Sequence, residues 1–243
     1  HQFNDSGAKA VVVLDQFYDT VATALPETGI QHVVVTRAID LLPEPKKSLF
    51  IGITKILGKR PKLPATGFTP FSEIVAVTSA GQGGYPMHNP SLDEICALQY
   101  TGGTTGVSKG VMLTQGSIMH NIAQSLAMVN VGDQSIENFT IVSPLPLYHI
   151  YAYMLSMGLI PAIRGHSLLI PDPRNISAFV SAIKKTPFDI FCGLNSLFVA
   201  LLQDKAFQKL DFSQLKLTLS GGMALMDSVA SDWQQQTGCV VSE

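Results

Sequence analysis

The chain has 243 residues, 46% hydrophobic and only 14% charged, with a formal net charge of −2. This is enough for one large or two small domains around a substantial core, and so weak a charge excludes a general nucleic-acid binder. Three scattered cysteines (Cys96, Cys192, Cys239) and six histidines without ligand spacing exclude a disulfide framework or zinc site and point to a reducing compartment.

Near-continuous apolar runs at 9–14 and 31–36 read as buried parallel strands, with a short crossover helix at 17–25 between them. Residue 3 leads straight into the first strand. Residues 37–94 are rich in Pro and Gly and read as irregular. Within them, residues 46–62 carry six basic side chains and no acid. Leu49, Phe50, Ile53, Ile56 and Leu57 fall on one helical face, with Lys55 and Lys59 opposite. That face either packs on the body or lies on an anionic membrane.

A second series begins with a strand at 95–100, then a loop dense in Thr, Gly and Ser. An apolar, helix-like run resumes at Val111 and, after a break at Gln115-Gly116, a helix is expected over 117–129. Strands are expected at 139–144, 167–170, 188–192 and 215–219. Helices are expected near 151–160, at 176–185 (capped by Asn175), at 196–202 and at 227–236 (closed by Gly238). Strands alternating with helices predict an α/β fold with mostly parallel sheets flanked by helices. The expected division is 1–94, the end of a first α/β subdomain with a basic-apolar insert, and 95–243, a phosphate-loop subdomain. No run approaches the ~18 apolar residues of a membrane span. The chain starts with His1 without a signal-peptide pattern, and residues 239–243 read as a strand that stops without a turn. Both ends read as cut, so a fragment of a longer enzyme is expected.

The segment Tyr100-Thr-Gly-Gly-Thr-Thr-Gly-Val-Ser-Lys-Gly110 sits at a strand end, where open α/β sheets bind ligands. Its glycines (Gly102, Gly103, Gly106) allow close backbone approach. Its hydroxyls (Thr101, Thr104, Thr105, Ser108) and the Lys109 ammonium suit a polyanion such as the phosphates of a nucleotide. It is not a Walker A loop, which needs Gly before Lys and Ser/Thr after it, nor a G-x-G-x-x-G loop. Gly106-Val-Ser-Lys-Gly110 fits the G-x-S-x-G of a nucleophile elbow, but Ser108 lies too far past the strand.

The whole string resembles the phosphate loop of the adenylate-forming superfamily: acyl-CoA synthetases, luciferases and peptide-synthetase adenylation domains. Pro144-Leu-Pro-Leu-Tyr-His-Ile150 is similar to its aromatic-His motif on the acyl-pocket side. Ser220-Gly-Gly-Met223 is similar to the strand end that backs the adenine and the acyl head. The order and spacing also match, and end to end the chain resembles bacterial long-chain fatty acid–CoA ligases.

The resemblance implies part of the N-terminal domain of the adenylate-forming fold. It implies two steps: ATP-dependent formation of acyl-adenylate with release of pyrophosphate, then transfer to coenzyme A with release of AMP. ATP, Mg²⁺ and coenzyme A are the implied cofactors and co-substrates. Thr101, Gly102, Gly103, Thr104, Thr105, Gly106, Ser108 and Lys109 would hold the phosphates, with Lys109 as the catalytic charge and Thr101 also reaching the metal. Tyr148 and His149 would line the acyl pocket. Gly221, Gly222 and Met223 would wall the adenine and acyl head. The superfamily's next motif, with its metal-binding Glu, would follow Glu243, so residues 1–243 alone are expected to be inactive. Asp172, Asp189 and Asp211 read as turn caps. The expected setting is the cytoplasm, peripheral at the inner face of the membrane through 46–62, with a homodimer as a further partner and no nucleic acid. The alternatives are an adenylating ligase for an aryl or amino acid, and a non-catalytic nucleotide-binding module.

Overall fold

The computed structural model describes residues 1–57, 63–64, 66–79, 88–102, 106–129 and 137–243. The chain forms two compact units: 1–90 with 97–112, and 91–96 with 113–243.

In the first unit, helix α1 (Gln2–Asp5) precedes strand β1 (Ala10–Leu14), helix α2 (Tyr18–Ala24) and strand β2 (His32–Thr36). β1 and β2 pair in parallel, Val12 opposite Val34 and Val13 opposite Val35. Val13, Tyr18 and Val35 form a small core with Val21, Val33, Leu63 and Phe68. The strand expected at 9–14 is β1, and a short helix, α1, stands before it. Residues 37–94 are more regular than their Pro and Gly content suggests. They hold α3 (Lys46–Ile56), the short strand β3 (Thr69–Pro70), which joins β2 in parallel, and α4 (Phe71–Ser79).

Strand β4 (Ile95–Thr101) and strand β5 (Lys109–Thr114) form a two-stranded sheet, and the unit boundary falls within this hairpin. The apolar run from Val111 is therefore a strand, not a helix. Gly110 is a poor helix former, and pairing with β4 satisfies the backbone of the run. Helix α5 (Gln115–Val129) starts directly after it. Thr114 is its cap: the Thr114 hydroxyl accepts from Ser117 N at 3.1 Å.

The second unit carries a five-stranded sheet of β6 (Thr140–Ser143), β7 (His166–Leu169), β8 (Ile190–Gly193), β9 (Leu217–Ser220) and β10 (Val241–Ser242), in the order β10-β9-β8-β6-β7. All four pairings are parallel, as continuous apolar strands require. After β6 the chain runs through α6 (Ile150–Tyr153), a π-helical turn (Met154–Leu159) and α7 (Ile160–Ala162) into β7. It then crosses back by α8 (Ile176–Lys185) to β8, and continues through α9 (Asn195–Leu202) to β9 and α10 (Asp227–Thr237) to β10. Asn175 caps α8 by accepting from Ala178 N at 3.1 Å, and Gly238 ends α10 in the left-handed conformation.

One face of the sheet packs Phe179, Phe191, Phe198, Phe207 and Trp233 into a single cluster. The Trp233 indole donates to the buried Thr218 hydroxyl at 3.0 Å. A second cluster gathers Ile141, Leu159, Ile160, Ile163, Ile190 and Cys192. Asp172 and Asp211 are turn caps, accepting from backbone N–H groups two residues on. Asp189 is not a turn cap: it accepts from Thr140 N at 2.9 Å and pairs with Lys216 at 3.6 Å, both from other strands or their flanks.

Candidate functional site

The phosphate-loop candidates belong to the first unit, and Gly103, Thr104 and Thr105 lie outside the described residues. Thr101 ends β4 and Lys109 opens β5, both exposed. The Ser108 hydroxyl donates to the Thr101 carbonyl at 2.9 Å, and the Thr101 hydroxyl donates to the Lys109 carbonyl at 3.5 Å. These bonds pin the two mouths of the loop together. Among the described residues, a Cβ added at Gly102 or Gly106 would meet nothing within 4 Å. Ser108 lies between two strands, with its hydroxyl bonded back to β4, so it is not on the strand-to-helix turn of a nucleophile elbow.

Helix α1 buttresses this loop, which the sequence pattern did not reveal. The Tyr100 hydroxyl donates to the Asp5 carboxylate at 2.6 Å, and the His1 ring meets the Ser108 carbonyl at 3.1 Å. The bond to Asp5 holds the Tyr100 phenol above its ordinary value. A Cβ on Gly110 would lie 2.9 Å from the Tyr100 ring, so glycine there lets the ring lie across the hairpin.

The other candidates belong to the second unit, at the carboxyl ends of its strands. From β6 the chain leaves to β7 on one side, while β8, β9 and β10 lie on the other. This is the topological switch point where open sheets bind ligands. His149 is exposed and caps α6, its Nδ1 accepting from Tyr151 N at 3.4 Å. Tyr148 is 80% exposed, so it is not a core residue. Gly222 has φ +83°, a left-handed turn, and Met223 is exposed. A Cβ on Gly221 would stand 3.0–3.2 Å from the Tyr151 ring. The strand end thus carries Tyr151 directly on its backbone. The Asn195 side chain accepts from Met226 N at 3.1 Å and ties the loop after β9 to the start of α9.

Tyr151, Ser156 and Cys192 were not singled out from the sequence, yet they concentrate the chemistry here. Among the described residues, the Tyr151 hydroxyl has the Cys192 thiol beside it, while the Ser156 and Ser220 hydroxyls are buried without a hydrogen-bond partner. Such a group costs about 1–3 kcal/mol, and its presence at a strand end asks for a polar guest. Ser143, Pro144, Ser156 and Cys192 line a void of about 10 Å³ between the ends of β6 and β8. Burial pushes the Tyr151 phenol far above its ordinary value, and the nearby Cys192 thiol adds to this. Burial likewise pushes Cys192 up to about 12, against a smaller opposing effect of the Tyr151 hydroxyl. Both shifts favour the neutral form of each group. Among the described residues, no three His, Cys, Asp or Glu side chains cluster to hold a metal.

The family of AMP-binding enzymes matches residues 1–243, the whole chain. The chain belongs to the AMP-binding enzyme family. The long-chain-fatty-acid–CoA ligase of Haemophilus influenzae is 39% identical over 245 residues, covering all of this chain and 43% of that protein. The chain therefore spans less than half the length of this curated relative. The anthranilate CoA ligase AuaEII, solved with anthranoyl-AMP, superposes with TM-score 0.72 at 20% identity, over 96% of this chain and 40% of that one. The long-chain-fatty-acid-CoA ligase FadD1 of Archaeoglobus fulgidus gives TM-score 0.68 at 20% identity, over 98% and 41%. At such identities the likeness establishes the fold, that of adenylate-forming N-terminal domains.

Proposed function

We propose that this protein activates a long-chain fatty acid. The fatty carboxylate attacks the α-phosphorus of ATP, pyrophosphate leaves and acyl-adenylate forms. The thiol of coenzyme A then attacks the acyl carbon, and AMP leaves with the bonding pair of the acyl–oxygen bond. The observation that carries this reading is the 39% identity, over the whole chain, to a ligase of that name.

Lys109 and the hydroxyls of Thr101, Thr104, Thr105 and Ser108, with the glycine backbone at 102, 103 and 106, stabilise the charge that develops on the departing pyrophosphate. Tyr148 and His149 line the acyl entrance, and Gly221, Gly222 and Met223 wall the nucleotide and acyl head. No carboxylate cluster of the described residues holds a cation by itself. Mg²⁺ would come with ATP, ligated by phosphate oxygens and the Thr101 hydroxyl, and would screen phosphate charge.

One observation favours an aryl acid as the alternative substrate: the buried Ser156 and Ser220 hydroxyls, without a partner among the described residues, suit a polar or aromatic acid better than an alkyl chain. The test is substrate-dependent ATP–pyrophosphate exchange and acyl-CoA formation by the whole protein, with C6 to C18 fatty acids against benzoates and amino acids. Fatty-acid turnover is expected. Turnover of benzoates alone selects the aryl reading, and no exchange with any acid selects a non-catalytic nucleotide-binding module. The same assay on residues 1–243 tests their expected inactivity.

Among the described residues, no helix is long and apolar enough to cross a membrane. A cytoplasmic setting, a homodimer and an anionic membrane surface at residues 46–62 complete the proposal.

A further inference from the structure

Strands β4 and β5 meet at the phosphate loop, and part of what holds them there comes from α1. The Tyr100 ring lies across the hairpin: a Cβ on Gly110 would stand 2.9 Å from its Cζ and 3.2 Å from its Cε1 and Cε2. Cζ is the ring atom that carries the hydroxyl. That hydroxyl donates to the Asp5 carboxylate at 2.6 Å and lies 3.4 Å from the Gln2 carbonyl oxygen. The far end of the ring is thus clamped between α1 and the backbone of β5, one residue past Lys109. Tyr100 also directly precedes Thr101, whose carbonyl accepts from the Ser108 hydroxyl at 2.9 Å. The start of the helix reaches Ser108 itself. The Gln2 amide donates to its hydroxyl at 3.4 Å, and the His1 ring meets its carbonyl at 3.1 Å.

Packing does not account for this helix. α1 has four residues and none of them is buried, and a helix so short has no stability of its own. The Asn4 amide anchors it to the body of the unit by donating to the Glu27 carbonyl at 2.8 Å. From that anchor its side chains are spent on the two ends of the loop. The bond at 2.6 Å to a carboxylate is of the strong, charge-assisted kind. Glycine loses more conformational freedom on ordering than any other residue, so a glycine-rich loop costs its ligand binding energy when the ligand must order it. Ends fixed beforehand spare part of that cost.

We propose that Asp5 and Tyr100 are positioning residues for nucleotide binding. Their bond holds the two strand ends of the phosphate loop in the arrangement that receives the β- and γ-phosphates of ATP, and it acts through the backbone at Thr101 and Lys109. This rests on the reading of residues 101–109 as a phosphate loop and is independent of which acid the site activates.

The test is calorimetric titration of the whole protein with ATP and, separately, with AMP, in Mg²⁺ and without acid or coenzyme A. Tyr100→Phe keeps the ring on Gly110 and the charge of Asp5, and removes only the bond. Its ATP affinity should fall about 2- to 12-fold, the worth of one hydrogen bond. Asp5→Ala should fall in the same range, and Asp5→Ala/Tyr100→Phe no further, since both changes remove one shared bond. Asp5→Asn keeps an acceptor and should lie between Asp5→Ala and wild type. AMP lacks the β- and γ-phosphates, so its affinity should stay at the wild-type value in every variant. ATP affinities of Tyr100→Phe and Asp5→Ala equal to wild type overturn the proposal; if Lys109→Ala alone then weakens ATP, the phosphate loop stands without its latch. Equal losses for ATP and AMP overturn it as well, since a helix serving only the fold would act on both, and so do additive losses in the double variant. If Asp5→Ala melts early, Tyr100→Phe and Asp5→Asn carry the decision. A wild type that does not bind ATP overturns the phosphate-loop reading and this proposal with it. ATP binding without fatty-acid turnover counts against the proposed reaction only.

Discussion

Gly221→Ala isolates the contact on which the second half of the site is built. The backbone at Gly221 is not left-handed, and an ideal Cβ would stand 3.0, 3.1 and 3.2 Å from three atoms of the Tyr151 ring. Two effects then oppose each other. Alanine restricts the unfolded chain and stabilises by about 0.4–1 kcal/mol wherever its conformation is allowed. The Cβ also forces the ring to move a few tenths of an ångström, and overpacking of this kind costs about 1–3 kcal/mol. The ring has little room to give: Gly221 lies beneath it, and its hydroxyl is buried beside the Cys192 thiol. Overpacking should win, with a net loss of up to about 2.5 kcal/mol, or several degrees in Tm for a chain of this size. Thermal and urea unfolding of the whole protein measure it. The decisive comparison is a double-mutant cycle with Tyr151→Ala. Without the ring, Gly221→Ala should become neutral or stabilising, so its sign should reverse. The same penalty in both backgrounds would falsify the claim that Tyr151 dictates glycine here.

Lys109→Ala in the whole protein should slow ATP–pyrophosphate exchange about 10- to 150-fold, the roughly 1.5–3 kcal/mol of one charge-assisted contact; an unchanged adenylation rate with slowed thioester formation would contradict its assignment to the phosphates. Cys192 binds its proton more tightly folded than unfolded, its value pushed from 9.0 up to about 12. Its contribution is therefore complete below the unfolded value and lost as pH rises through this window, by about 1.4 kcal/mol per pH unit. Urea unfolding at increasing alkaline pH should show that slope in the wild type and a flatter one in Cys192→Ala. Consistent with its burial, a thiol reagent at neutral pH should label exposed Cys96 and spare Cys192 and Cys239 until the protein unfolds.

The strands of the five-stranded sheet were legible because parallel strands buried on both faces must be apolar throughout. Ile190, Phe191 and Cys192 are almost fully buried, and their run admits no other reading. Helix ends were legible where a cap is local: Asn175 and Gly238 act within three or four residues. β5 was not legible. Lys109-Gly-Val-Met-Leu-Thr114 has no clean alternation, and its strand state comes from pairing with β4, a tertiary effect. The exposed face of α3 was half legible: the stripe is written in the sequence, but only the structure shows that it points away from the body.

The same division runs through the site. Gly221 and Gly110 are needed because rings from elsewhere, Tyr151 and Tyr100, lie against them; a sequence displays the glycine and hides the ring. Asp5 holds Tyr100 from 95 positions away, and no local pattern announces such a partner. Gly102 and Gly106 are the converse case. Neither is left-handed, and among the described residues a Cβ on either would meet nothing within 4 Å. Alanine would be tolerated by the hairpin, and by the unfolded-state argument even favoured. A loop of glycines, hydroxyls and one lysine is what close backbone approach to phosphate needs. The motif stands out in the sequence because its polar, glycine-rich composition departs from the apolar runs on either side, and its hold on phosphate is the proposal that Lys109→Ala tests.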